Sequence, residues 1–147
     1  MMMNIPELRS IHGQQLFSLQ KKAYAVEAEL VGFDEIPPLV ETFNQFLRCK
    51  ETFIGFFVDD TVAGAISYKS ENGLIEICRL VVHPDHFRKG IAQALLTHLQ
   101  LTIPWKKLSV STGTLNMPAR KLYEKNGFTH KKDVEVATQF FISLYEK

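Results

Sequence analysis

The chain has 147 residues, 46% hydrophobic and 22% charged, a balance too apolar for a disordered chain and ordinary for a single domain that buries a core. Its 17 Lys and Arg against 16 Asp and Glu give a net charge of +1, so there is no global basic field to draw nucleic acid, and any anion site must be local. No apolar run nears a bilayer-spanning length, Cys49 and Cys78 lie outside any Cys-x-x-Cys spacing, and the opening MMMNIPELRS lacks the apolar core of a secretory signal. The expectation is a reduced, cytoplasmic protein with one domain over residues 1–147 and neither a nucleic-acid nor a membrane partner.

A short strand is expected around Glu7 to Ile11. In GQQLFSLQKKAYAVEAEL the residues Leu16, Leu19, Ala23, Tyr24, Val26 and Leu30 recur at roughly helical spacing and predict a first long helix ending near Gly32. FDEIPP breaks helical geometry, and a second helix is predicted over Leu39 to Arg48. From Glu51 the period changes. ETFIGFFV and TVAGAISYK are rich in β-branched and aromatic residues and flank Asp59-Asp60, which predicts a hairpin. A third strand, GLIEICRLVV, opens after Asn72-Gly73 and leads into a helix running to about Thr102. KLSVSTG reads as a strand, Pro118 to Asn126 as a helix stopped by Gly127, and THKKDVEV and FFISLYE as two closing strands. The fold class is therefore α/β, with a mixed, mostly antiparallel sheet and flanking helices. The strand-helix-strand step requires the strands from Gly73 and Lys107 to run parallel.

The junction LVVHPDHFRKGIAQALL, Leu80 to Leu96, passes from an apolar strand through basic residues and one glycine directly into a helix. A helix start with free N–H groups and a positive dipole end is an anion site before side chains are considered. Gly90 lets a ligand approach the main chain, and Arg88 and Lys89 add local charge, a combination suited to a diphosphate. A Walker loop needs Gly-Lys-Ser/Thr after an earlier glycine and a dinucleotide turn needs three glycines; HFRKGIAQ has neither, which disfavours ATP and NAD. His83-Pro-Asp-His86 offers two imidazoles and a carboxylate, but a proline inside the loop and no second ligand cluster point to a turn, and no metal is expected.

The segment resembles the acyl-CoA signature of the GNAT superfamily of N-acetyltransferases, Gln/Arg-x-x-Gly-x-Gly/Ala after a strand ending in Val-x-Pro, with Phe87 at the Gln/Arg position, Gly90 at the first glycine and Ala92 at the second small position. NMPARKLYEKNGF, Asn116 to Phe128, is similar to the family's Asn-x-x-Ala-x-x-Leu-Tyr-x-x-x-Gly-Phe pattern at every written position. The resemblance covers roughly Phe53 to Leu144. It implies a splayed parallel strand pair and acetyl-CoA as cosubstrate, its phosphates cradled by the amides of Arg88, Lys89, Gly90, Ile91 and Ala92. It further implies a pantetheine arm along Leu80, Val81 and Val82 and beside Asn116 and Ala119. The implied reaction is direct transfer of an acetyl group to a primary amine of a small molecule or peptide in a ternary complex. Tyr123 is then the proton donor to the departing sulfur, and a backbone N–H near Val81 or Val82 faces the thioester oxygen.

For the general base the sequence suggests Glu76, which strict alternation puts on one face with Leu74, Cys78, Leu80 and Val82, a lone carboxylate that desolvation would make more basic. The acceptor pocket is expected from GFDEIPP, the first two helices and the meander. Asp34 and Glu35 would draw a cationic amine, and Phe33, Phe56 and Phe57 would meet its apolar part. The rival reading is a non-catalytic acyl-CoA-binding or partner-binding module of the same fold. The final strands or the hairpin would be the route to a homodimer.

Overall fold

The computed structural model describes the backbone of residues 2–4 and 8–147 and the side chains from His12 onward. Strand β1 (Met2–Asn4) precedes helix α1 (Leu8–Val31), and two short helices follow, α2 (Pro37–Val40) and α3 (Phe43–Arg48). An antiparallel meander comes next, β2 (Thr52–Val58), β3 (Thr61–Glu71) and β4 (Leu74–Val82). Then come α4 (Ile91–Thr102), β5 (Lys107–Gly113), α5 (Met117–Lys125), β6 (Thr129–Ala137) and β7 (Phe140–Glu146). Both meander turns are left-handed at their two central residues, Asp59 and Asp60 (φ 50° and 63°) and Asn72 and Gly73 (φ 53° and 82°). That backbone matches the twist of the flanking strands, and Asp, Asn and Gly tolerate it best.

Two expectations need correction. Of the strand expected over Glu7 to Ile11, Glu7 lies outside the described residues and Leu8 to Ile11 are helical, the first turn of α1. The helix expected over Leu39 to Arg48 is broken at Glu41 and Thr42, which are extended. Tertiary contacts take precedence there: Lys21 of α1 donates to the carbonyls of Pro38, Leu39 and Glu41, while the Glu41 carboxylate is drawn inward by Gln20 and Arg79. Thr42 then restarts the helix with a capping box to Gln45.

The seven strands form one sheet in the order β1-β2-β3-β4-β5-β7-β6, antiparallel except for β4 and β5. β1 covers the open side of the hairpin strand β2, so β1 and β6 are the outer strands. On one face α4 and α5 bury Leu95, Leu96, Leu99 and Tyr123 against Ile66, Ile75, Ile77, Leu108 and Val110. On the other, α1 and α3 bury Leu16, Leu19 and Phe46 against Phe53, Ala65 and Val81. Each such side chain contributes about 1.5–3 kcal/mol. Gly64 lets α4 lie close to β3, because a Cβ there would stand 2.7 Å from Ile91 Cγ2 and 3.0 Å from the Val81 carbonyl oxygen.

Two irregularities in β4 open the sheet near its centre. Ser67 pairs with Arg79 but Tyr68 pairs with Ile77, so Cys78 is an extra residue, a bulge that reverses the alternation beyond it. Ile75 and Ile77 face α4, and past the bulge Leu80 and Val82 take that face while Arg79 and Val81 turn toward α1. The parallel ladder with β5 also runs only from Leu74 and Lys107 to Ile77 and Val110. From Cys78 on the two strands part, as the resemblance implied.

Candidate active site

The turn Pro84–His86 is closed by His83, whose Nδ1 accepts the Asp85 N–H at 3.0 Å, and Phe87 N–H donates to the Pro84 carbonyl at 3.3 Å. Arg88 and Gly90 are left-handed (φ 64° and 76°), and the first bond of α4 is Ala94 N–H to the Gly90 carbonyl, 3.0 Å. The amides of Arg88, Lys89, Gly90, Ile91, Ala92 and Gln93 consequently have no acceptor among the described residues. Unpaired amides at a positive helix end in a turned backbone form an anion cradle. The space before it is open, since a Cβ at Gly90 would meet nothing within 4 Å. Arg88 and Lys89 are exposed beside it, with Lys89 Nζ 3.1 Å from His86 Nδ1, while Phe87 is exposed and Ile91 anchors the helix in the core. The donor set and the open space fit a diphosphate.

A second set of free main-chain groups leads away from the cradle. His83 N–H donates to Ala63 of β3, so the alternation directs the main-chain groups of Val81 and Arg79 toward β3 and those of Leu80 and Val82 toward the gap left by β5. Of the expected contacts, Leu80 and Val82 therefore border the opening. Val81 does not; its side chain is buried against α1.

At the far side of the gap stands α5. Asn116 caps it, its Oδ1 accepting the Ala119 N–H at 3.3 Å, and its buried amide donates to Glu27 Oε1 of α1 at 2.6 Å. Tyr123 lies two turns on, and helical side chains lean toward the N-terminus, so its ring points back toward that cap. It is 4% exposed, packed on Phe128 and Tyr145, and among the described residues its hydroxyl has no hydrogen-bond partner. Burial, with the Glu27 charge added, raises the Tyr123 phenol well above its ordinary pKa, and the same two causes raise Tyr24. Burial also raises the Glu27 carboxyl against the hydrogen bond from Asn116. Gln93 and Asn126 exchange amide hydrogen bonds of 2.8 and 2.9 Å and fix the spacing of α4 and α5.

Glu76 is not in this group. The bulge removes it from the face of Leu80 and Val82; its side chain is exposed, and it stands in register opposite Lys69. The desolvation expected of it is absent. Cys78 at the bulge has a thiol raised to about 12 by burial and the Glu51 and Glu76 charges, so it is protonated at neutral pH and a poor nucleophile. Phe57 is core, and Phe56 packs against the core. Asp34 and Glu35 are exposed, and Phe33 stacks on Phe140 with centroids 4.2 Å apart, tying the α1–α2 loop to the start of β7.

Two residues of consequence were missed. Glu27 reads in the sequence as part of a solvated helix face, and its partner is 89 residues away. Arg79 left a visible signal, the one cation inside GLIEICRLVV. It is buried and held by Glu41 (2.8 and 3.0 Å), Glu51 (2.8 and 3.0 Å) and Gln20 (2.6 Å), which joins α1, the α2–α3 junction and the sheet. A cavity of about 530 Å³ opens beside it between Pro37, Pro38, Val40 and Gln45.

The structure is similar to that of the ribosomal-protein-S18-alanine N-acetyltransferase from Escherichia coli, with a TM-score of 0.77 and 15% identity over 99% of this chain and 91% of that one. It is also similar to the PaiA N-acetyltransferase from Thermoplasma acidophilum in complex with coenzyme A, with a TM-score of 0.71 and 17% identity over 100% and 98%. In sequence it is 37% identical over 133 residues to the UPF0157 protein YqkA of Bacillus subtilis strain 168, covering 90% of this chain but only 39% of that protein's length. The model of the acetyltransferase (GNAT) family matches residues 14–128, and the chain belongs to that family.

Proposed function

We propose that the protein transfers an acetyl group from acetyl-CoA to a primary amine of a small molecule or peptide, with both substrates bound at once. One observation carries the reading: β4 parts from β5 beside the open edge at Leu80 and Val82, between the amides of Arg88 to Gln93 at the start of α4 and the α5 helix that carries Tyr123, and neither those amides nor the Tyr123 hydroxyl has a partner among the described residues. The coenzyme A complex of the Thermoplasma relative and the amine acceptor named for the Escherichia coli relative support the choice of substrates.

Acetyl-CoA would supply the activated thioester. The cradle amides, with Arg88 and Lys89, would hold its diphosphate, and Asn116 with the Ala119 turn would border the pantetheine arm. The Leu80 or Val82 N–H, free on the side of the gap, would donate to the carbonyl oxygen as charge develops there. Tyr123, kept protonated by burial, is suited to give its proton to the departing sulfur. The protonated Cys78 favours direct attack by the amine over a covalent thiol relay. Cytoplasmic residence agrees with this chemistry, and no helix among the described residues is long and apolar enough to cross a membrane.

Thiol release from acetyl-CoA across a panel of alkyl and peptide amines tests the reading. Tyr123→Phe keeps the ring packing and should lower kcat by about 10²-fold with little change in coenzyme A affinity. Unchanged turnover in that variant would leave the tyrosine a core residue. Tight coenzyme A binding with no release on any amine would support the binding-module reading instead.

A further inference from the structure

Resting on the acetyl-transfer reading, we infer that Glu27 of α1 is the general base that deprotonates the acceptor ammonium, with Asn116 as its positioning residue. The side chain enters from the layer opposite α4. Val31, one turn further along α1, would stand 2.8 Å from a Cβ on Gly113, so this part of α1 lies directly over the end of β5, where β4 has already parted from it. Asn116 Nδ2 holds Oε1 at 2.6 Å, and among the described residues Oε2 has no partner. One oxygen is thus oriented and the other left to accept.

The titratable groups that face Glu27 are Tyr24 from its own helix and Tyr123 from α5, both neutral phenols at pH 7, and no cation among the described residues pairs with it. Partial burial without a counter-ion raises its pKa from the ordinary carboxylate range toward the working pH of a base. Tyr123 and Glu27, close enough for the Glu27 charge to act on the phenol, therefore offer a protonated acid from one helix layer and an anchored carboxylate from the other. An exposed Glu76 in register with Lys69 offers no such arrangement.

Protons and electron pairs balance across the step. The carboxylate of Glu27 takes one proton from the ammonium and passes it to solvent. The freed nitrogen lone pair forms the C–N bond to the acetyl carbon, and the C–S bond breaks with its electron pair on sulfur. Tyr123 gives that sulfur a proton and is restored by the second proton leaving nitrogen. An ammonium, an acetyl thioester and Glu27 carboxylate become an amide, a thiol, a regenerated carboxylate and one proton in solvent.

The test compares wild type with Glu27→Gln, which still accepts from Asn116. Thiol release is followed against pH with an alkylamine, protonated at neutral pH, and an arylamine, already neutral there. Glu27→Gln should lose about 10²-fold or more in alkylamine kcat at pH 7 and its rate should keep climbing with pH, while arylamine kcat stays within about fivefold and coenzyme A affinity is unchanged. Because Glu27 has a raised folded pKa, its contribution to stability is full at acid pH and lost as pH rises through that value. The neutral amide should therefore melt no lower than wild type at pH 7. Equal losses on both amines, or an unaltered pH profile, would overturn the base while leaving acetyl transfer intact. A wild type that binds coenzyme A yet acetylates no amine would overturn both.

Discussion

Arg79 shows how one side chain can organise a lobe. Its guanidinium has fixed donors matched bidentately to Glu41 and Glu51, it lies near the rings of Phe46 and Phe53 (5.6 and 6.0 Å), and Ser67 Oγ completes Glu51 at 2.6 Å. Both carboxylates are largely buried, with side-chain exposures of 15% and 9%, so removing the cation leaves two poorly solvated charges. Arg79→Met should destabilise the fold by about 3–5 kcal/mol in urea unfolding at neutral pH. Burial alone would raise Glu41, but the hydrogen bonds from Arg79 and Gln20 and the Arg79 charge outweigh it and hold that carboxyl below its usual range. A depressed folded pKa means stability that is present above the unfolded value and lost as pH falls through the folded one. The gap between wild type and Arg79→Met should therefore hold down to about pH 4, the ordinary range of a glutamate, and narrow as pH falls below it. A gap that stays constant with pH would make the loss one of packing rather than charge.

At the scale of elements, the start of α4 depends on a left-handed residue that meets nothing. Gly90→Ala adds a methyl at φ 76°, a backbone cost of about 1–2 kcal/mol, with no clash inside the protein. The methyl projects into the space before the amides. The dissociation constant for coenzyme A, followed by calorimetry, should rise at least tenfold; a variant that loses stability but binds normally would remove the cradle from the site. This element was legible because its causes are local: a turn, a glycine and an apolar period. The two meander turns were legible for the same reason. The break at Glu41 and Thr42 was not, because Lys21, Gln20 and Arg79 impose it from other elements. Nor was the bulge, since after its opening Gly73 the segment GLIEICRLVV carries no glycine or proline to mark an extra residue at Cys78. That single insertion misplaced Glu76, because a period of two propagates one error to every residue beyond it. Glu27 stayed hidden because its environment is built by an asparagine from the far end of the chain.

The groups proposed to meet the substrates stand on four separate elements, the β4 edge, the α4 start, the α5 cap and α1, drawn from both sides of the sheet. A coenzyme that engages the first three binds the folded chain and has no counterpart site in the unfolded one. Its stabilisation should follow mass action, about 2.7 kcal/mol at a hundredfold excess over Kd. For a chain of this size that is a rise in Tm of about 5–10 °C. With a net charge of +1 the attraction is local to Arg88, Lys89 and the helix end, so moderate salt should weaken binding only modestly. Hydrogen exchange locates the effect. Coenzyme A should protect the amides of Leu80, Val82 and Arg88 to Gln93, which have no partner among the described residues, and leave the outer strands β1 and β6 unchanged. A rise in Tm without protection at Arg88 to Gln93 would place the coenzyme elsewhere on the fold and remove the geometric basis for assigning Tyr123 and Glu27 to the reaction.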